Sequence, residues 1–189
     1  RHAPPEEVRP STLPLTPDTQ QGHSPERLAL AATLQRPLDS VGSGWESLTV
    51  ESFVDRRNRD VFQQVAAGGG LETFADLLQE AEAEHGVGEE AVHLAGRRWN
   101  ENLLSGASPQ VRDDMTALTV LALPVEEGDL RDYSLGLVRA LVRRSLEEEM
   151  RVLQARLARQ EDSPEESKRT LEQLWSLERR RRAYMEVED

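Results

Sequence analysis

The chain of 189 residues contains no cysteine, which excludes disulfides, zinc–thiolate sites and thiol nucleophiles. Aromatic residues make up only 4% of it, and this scarcity argues against a large β-sheet. No apolar run approaches the roughly 18 residues that a membrane span needs, and no signal-peptide pattern is present. What the chain has instead is an abundance of Leu, Ala, Glu, Arg and Gln, all good helix formers, which predicts an all-α fold.

The charge is one-sided, because 23 basic residues face 35 acidic ones and leave a net charge of −12. Phosphate backbones repel such a chain, so we expect little direct nucleic-acid binding. Catalytic motifs are absent: the sequence has no GxSxG, no phosphate-binding glycine loop followed by Lys, and no HExxH. The spacing of His85 and His93 with Glu89 or Glu90 allows metal ligation, but a cation at a helix end explains His85 without a metal. We therefore predict no catalytic residue, metal site or cofactor.

Residues 1–23 are rich in proline, lack apolar periodicity and predict a Pro-rich linker. This linker leads us to expect a C-terminal piece of a longer protein, with another module upstream. Ser24-Pro25, Asp55 and Ser108-Pro109 are typical helix starts, and Gly68-Gly69-Gly70 is typical of a helix stop. Five or six short helices are predicted before residue 128, the last over residues 110–123. They form a helical bundle subdomain over residues 24–144.

The last third of the chain predicts two helices folded back on each other. The first covers residues 129–161. Ser163 and Glu166 can form the capping box of a second helix, whose first position suits Pro164 and which ends near residue 185. An apolar row at heptad-like spacing in the first helix indicates a two-helix seam: Leu146, Met150, Leu153 and Leu157. The second helix is expected to return along it with Leu171, Leu174, Leu177 and Met185. The predicted fold is thus a helical bundle, a long helix and a C-terminal antiparallel helical hairpin over residues 145–189.

Two features of the last helix have more than one interpretation. Trp175 and Tyr184 are either exposed binding anchors or residues that seal the hairpin seam. The run Arg179–Arg182 either is solvated and stabilises the helix C-terminus, or contacts a protein partner, or grips phosphates. Both features lie on an arm with a thin core, which we expect to move more easily than the bundle.

Three segments resemble the C-terminal domain of bacterial replicative DNA primases of the DnaG type. The stretch from Leu28 through Leu34-Gln35-Arg36-Pro37 is similar to the first helix of that domain, which is Leu-rich and closed by Gln-x-Pro. Leu153-Gln154-Ala155-Arg156-Leu157 is similar to the end of its connecting helix. Leu171-x-x-Leu174-x-x-Leu177, followed by Arg179–Arg182, resembles its last helix. The resemblance covers residues 24–185 in order and architecture.

The resemblance implies a non-catalytic module that recruits primase to the replicative helicase for primer synthesis, with the hexameric helicase's N-terminal domain as partner. The catalytic domain of the primase would lie upstream, and the location would be the bacterial cytoplasm, at the replisome. No cofactor and no membrane contact are expected. We expect helicase contacts from eight residues of the last helix: Leu171, Leu174, Trp175, Glu178, Arg181, Arg182, Tyr184 and Met185.

Two other functions compete with this interpretation. The chain could be a structural or regulatory protein that self-associates through a coiled-coil arm, which sedimentation would reveal. It could also be an acid-rich helical enzyme with an unrecognised site, although no convergent polar cluster is visible in the sequence.

Overall fold

The computed structural model describes residues 24–159 and 163–185. This part of the chain holds seven α-helices and no β-strand, which confirms the predicted all-α fold. Five short helices come first: α1 (Pro25–Gln35), α2 (Arg56–Ala67), α3 (Gly70–His85), α4 (Glu89–Ser105) and α5 (Pro109–Thr119). Two longer helices follow them: α6 (Leu130–Ala158) and α7 (Pro164–Met185). The predicted linker over residues 1–23 and the predicted end of the long helix at residue 161 lie outside the described residues.

The predicted helix starts are confirmed by side-chain caps. The side chains of Ser24, Asp55 and Ser108 each accept a hydrogen bond from a backbone N–H in the first turn of α1, α2 and α5, respectively. Such caps satisfy donors that have no partner within the helix. Because Pro25 and Pro109 need no such partner, they fit the first positions of α1 and α5. The sequence therefore determines where these helices begin.

Helix α1 is the central element of the bundle and is buried on every side. All seven residues from Leu28 to Leu34 are at most 6% exposed, and α1 packs against α2, α5 and α6. Trp45 is buried with its ring centroid 5.4 Å from that of Phe62. At the other side of the bundle, Trp99 packs edge-on against Phe74 and donates a hydrogen bond to the Gly70 carbonyl. Trp45, Phe62, Phe74 and Trp99 are thus core residues, and their rings contact one another in pairs.

The helix predicted over residues 110–123 ends earlier than expected. Helix α5 stops at Thr119, and the prediction was wrong about its last turn. The side-chain amide of Gln35 donates hydrogen bonds to the carbonyls of Leu118 (2.8 Å) and Leu121 (2.9 Å). In a longer helix these carbonyl oxygens would accept hydrogen bonds from backbone N–H groups, and here the Gln35 amide of α1 donates to them instead. Gln35 precedes Leu118 by 83 positions and Leu121 by 86 positions. Because this contact is so distant along the chain, the local sequence did not reveal where the helix ends.

Burial changes along the long helix α6. Its first half contributes Val138, Leu141, Val142 and Leu146 to the core, each at most 4% exposed. Beyond that point its apolar residues Met150, Leu153 and Leu157 are only half-buried. This change lies close to residue 145, where the sequence predicts the boundary between bundle and hairpin subdomains, and that division stays a prediction.

Candidate protein-interaction surface

The capping box at Ser163 sets the start of the hairpin's second helix. The Ser163 N–H donates a hydrogen bond to Glu166 Oε2 (3.0 Å), and the Glu166 N–H donates one to Ser163 Oγ (3.4 Å). Hydrogen bonds from the backbone and then the hydroxyl of Ser163 lower the pKa of the Glu166 carboxyl. The predicted start is confirmed, and it fixes which side chains of α7 point towards α6.

The inner face of α7 follows a repeat of three and four residues that packs α7 against α6. Its members are at least half-buried: Ser167, Thr170, Leu174, Leu177, Arg181 and Tyr184. Leu171, predicted on this seam, is instead 43% exposed, while its neighbour Thr170 is 3% exposed. Thr170 can be buried because its hydroxyl donates a hydrogen bond to the Glu166 carbonyl. Leu174 and Leu177 thus lie on the seam as predicted, whereas Thr170 occupies the position predicted for Leu171.

Ion pairs occupy part of the arginine run. Arg181 and Arg182 both donate hydrogen bonds to Glu178 Oε1, at 3.0 and 3.3 Å. Arg181 also lies 3.9 Å from Glu147 on α6. The hydrogen bond from Arg181 is the largest cause of the lowered pKa of Glu178. Half of the run thus stabilises the hairpin itself, and Arg179 and Arg180 remain exposed on its surface.

Tyr184 attaches the end of α7 to the bundle. Its hydroxyl lies 2.9 Å from Ser47 Oγ, and its ring covers Gly44, where an added Cβ would lie 2.5 Å from Cε1. Gly44 has φ +91°, a conformation that favours glycine. Tyr184 therefore packs between α7 and the bundle, a position that differs from both the exposed anchor and the seal of the hairpin seam that the sequence suggested.

The outward face of α7 carries the chain's exposed aromatic group. Trp175 is 68% exposed, and Leu171, one turn before it, is 43% exposed. Lys168 and Arg179 flank them, are exposed, and form no ion pair within the described residues. We call Lys168, Leu171, Trp175 and Arg179 the outward α7 face. An exposed apolar pair framed by cations is suited to binding another protein.

The eight predicted contact residues divide between the two sides of α7. Leu171, Trp175 and Arg182 are exposed. The half-buried ones are Leu174, Glu178, Arg181 and Tyr184. Met185 ends the helix, but its side chain lies outside the described part of the structure. Lys168 and Arg179 were not among the predicted residues, and their spacing of seven and four from Trp175 is the signal that identifies them.

The described residues show no arrangement for metal chemistry or membrane insertion. Over residues 24–159 and 163–185, no three His, Asp or Glu side chains are placed to hold a metal ion. His93 lies 3.7 Å from Glu89, and His85 lies 3.7 Å from a different carboxylate, that of Glu84. None of the helices in this part of the chain has the length and hydropathy to cross a bilayer.

The described residues define an all-α bundle that ends in a helical hairpin. A solved structure with a similar fold is the helicase-binding domain of primase from Mycobacterium tuberculosis. It matches with a TM-score of 0.61 and 23% sequence identity, over 86% of this chain and 90% of that one. The resemblance expected from sequence is therefore confirmed at the level of fold. The chain matches no protein-family model and no curated protein sequence.

Proposed function

We propose that this chain is a protein-interaction module that recruits a bacterial primase to the replicative DNA helicase. The observation that carries the proposal is the exposed Trp175 beside Leu171, on the last helix of a fold shared with a primase helicase-binding domain. The module itself would catalyse nothing and need no cofactor. Its location would be the bacterial cytoplasm, at the replisome, and its partner the N-terminal domain of the hexameric helicase.

The proposed mechanism is recognition of one helix face. Trp175 and Leu171 enter an apolar groove of the partner, where a large aromatic side chain contributes most to affinity. Lys168, Arg179 and Arg182 form the charged rim, which speeds encounter with an acidic surface more than it strengthens the complex. The Pro-rich segment 1–23 would act as a linker that lets an upstream polymerase domain search for template.

The other predicted contact residues act indirectly in this mechanism. Leu174 packs on the seam, Glu178 and Arg181 pair with each other, and Tyr184 bonds Ser47. Together they hold the orientation of the outward α7 face, which limits the rotamer and backbone entropy lost on binding. Met185 stays in the proposed contact set on the sequence resemblance alone, since its side chain lies outside the described part of the structure.

A calorimetric titration with a replicative helicase's N-terminal domain tests the role of Trp175. Trp175→Ala should weaken binding by about tenfold or more, since a central aromatic anchor contributes over 1.4 kcal/mol. The matched control is Val120→Ala, because Val120 is 79% exposed but follows α5 and is not part of the hairpin. Equal affinity for wild type and Trp175→Ala would overturn the assignment of the anchor.

A further inference from the structure

An apolar groove opens on the bundle between the start of α3, the end of α2 and the turn around Trp45. It encloses about 550 Å³. Its apolar lining consists mainly of Val41, Trp45, Leu48, Phe62, Leu71 and Ala75. We call it the α2–α3 groove. Val41 is 45% exposed at its edge and Leu71 is half-buried, so part of this apolar surface faces solvent.

The charge around the α2–α3 groove has one sign. The charged residues that line it are Glu46 and Glu72, both exposed, and no Lys, Arg or His of the described residues lines it. An occupant that fits this groove must bring a large apolar side chain with cations next to it. The charged residues at the groove therefore have the opposite sign to Lys168 and Arg179 on the outward α7 face.

The outward α7 face has the required chemistry. Trp175 is a large exposed apolar group, and the helix places Lys168 and Arg179 at seven and four positions from it, on the same side. Glu172 is also exposed near this face and Arg182 is paired with Glu178, so Lys168 and Arg179 are the cations that give this face its positive charge. The two surfaces are complementary both in polarity and in charge.

A single molecule cannot bring these two surfaces together. Tyr184 is held beside the groove, because it covers Gly44 and bonds Ser47 while Trp45 and Glu46 line the groove. Trp175 precedes Tyr184 by nine residues, about 13 Å along the helix, and nine steps of 100° place it on the opposite side of α7. An outward α7 face can therefore reach this groove only from another molecule.

We infer that the chain self-associates, with the outward α7 face of one copy seated in the α2–α3 groove of a second copy. Each copy carries both surfaces, so reciprocal contacts close a twofold dimer, whereas one-way contacts build longer chains. Trp175 is buried in this assembly. Self-association and partner binding through Trp175 therefore exclude each other, and a partner that occupies Trp175 releases monomers.

Sedimentation equilibrium of the 189-residue chain over a range of concentrations tests this inference without any helicase. The average mass should rise above 21.2 kDa with concentration, and added salt should lower it by screening the charges. Trp175→Ala should weaken the association by about tenfold or more, whereas Val120→Ala should leave it unchanged. A mass that stays monomeric at all concentrations, or an association that Trp175→Ala does not alter, overturns the inference.

Reversing the charges on each surface tests whether the outward α7 face and the α2–α3 groove contact each other. Glu46→Lys with Glu72→Lys should weaken self-association, and so should Lys168→Glu with Arg179→Glu. A mixture of the two double variants should restore it, because opposite charges then face each other in mixed pairs. All four residues are exposed, so circular dichroism should show unchanged helicity in both variants. A mixture that stays as weakly associated as its components contradicts this pairing.

The outcome separates this inference from the proposed function. A chain that self-associates through Trp175 but does not bind the helicase domain supports the inference and contradicts the proposed function. A chain that binds the helicase domain but stays monomeric supports the proposed function and contradicts the inference. If both hold, adding the helicase domain should lower the self-associated fraction in proportion to the complex formed.

Discussion

At the residue scale, one buried carboxylate connects four segments of the bundle. Glu26 on α1 is 5% exposed and accepts hydrogen bonds from the Val54 and Asp55 N–H groups and the Asn58 amide. Arg144 of α6 pairs with it at 2.6 Å. Burial alone would raise the pKa of Glu26, but these hydrogen bonds together lower it. The ionised form of Glu26 therefore stabilises the fold.

Glu26→Gln should reduce the free energy of unfolding at neutral pH by about 2 kcal/mol, since it removes charge-assisted hydrogen bonds from a buried site. The ordinary pKa of the carboxyl is 4.5, and in the folded chain the pKa is lower, so the unfolded state binds more protons between these values. The stabilisation by Glu26 is thus present above pH 4.5 and is lost as pH falls through the lowered pKa.

Urea denaturation of wild type and Glu26→Gln at several pH values measures this contribution. The difference in unfolding free energy between the two should shrink as the solution is acidified. Glu101→Gln is the matched control, because Glu101 is exposed on α4 and its substitution should leave stability nearly unchanged at every pH. A difference that does not vary with pH would contradict the proposed role of the Glu26 charge.

At the element scale, the contact between α7 and the bundle depends on the absence of a side chain at residue 44. Gly44→Ala should reduce the free energy of unfolding by about 2 kcal/mol through backbone strain at φ +91°, plus a further loss from the clash with Tyr184. Gly42→Ala is the matched control. Gly42 has a similar φ of +77°, but its added Cβ would meet nothing within 4 Å.

Chemical denaturation of both glycine variants separates strain from clash. We expect Gly44→Ala to be the more destabilising, and we expect Tyr184→Ala to remove that excess in the double variant. Equal losses for Gly42→Ala and Gly44→Ala would show that the Tyr184 ring does not press on residue 44. The attachment of α7 to the bundle would then need another explanation.

At the scale of the whole molecule, the sequence predicts the features that depend on neighbouring residues in the chain. The caps at Ser24, Asp55, Ser108 and Ser163 and the order of helices follow from residues close in the chain. Contacts between distant residues were not predictable in the same way. The attachment of Tyr184 to Ser47 joins residues 137 positions apart, and the buried position of Thr170 depends on packing against α6.

The candidate surface, too, was predictable from the sequence only in part. Trp175 could be singled out because a large aromatic residue on a charged helix is unusual, but the sequence left open whether it seals the seam or faces solvent. Its exposure of 68% decides that question, and the exposure of Leu171 places both on one side of α7. Periodicity alone could not choose between Thr170 and Leu171 for the seam, since burial of a hydroxyl depends on its hydrogen bond to Glu166.

Site-specific photo-crosslinking tests the central claim, that the outward α7 face is the surface that binds the helicase. A photoreactive side chain replaces Arg179, which is exposed beside Trp175, in one variant and Val120 in another, and each variant is mixed with the N-terminal domain of a replicative helicase. We expect a crosslinked product from position 179 and none from position 120. Crosslinking from position 120 alone, with none from position 179, would contradict this claim.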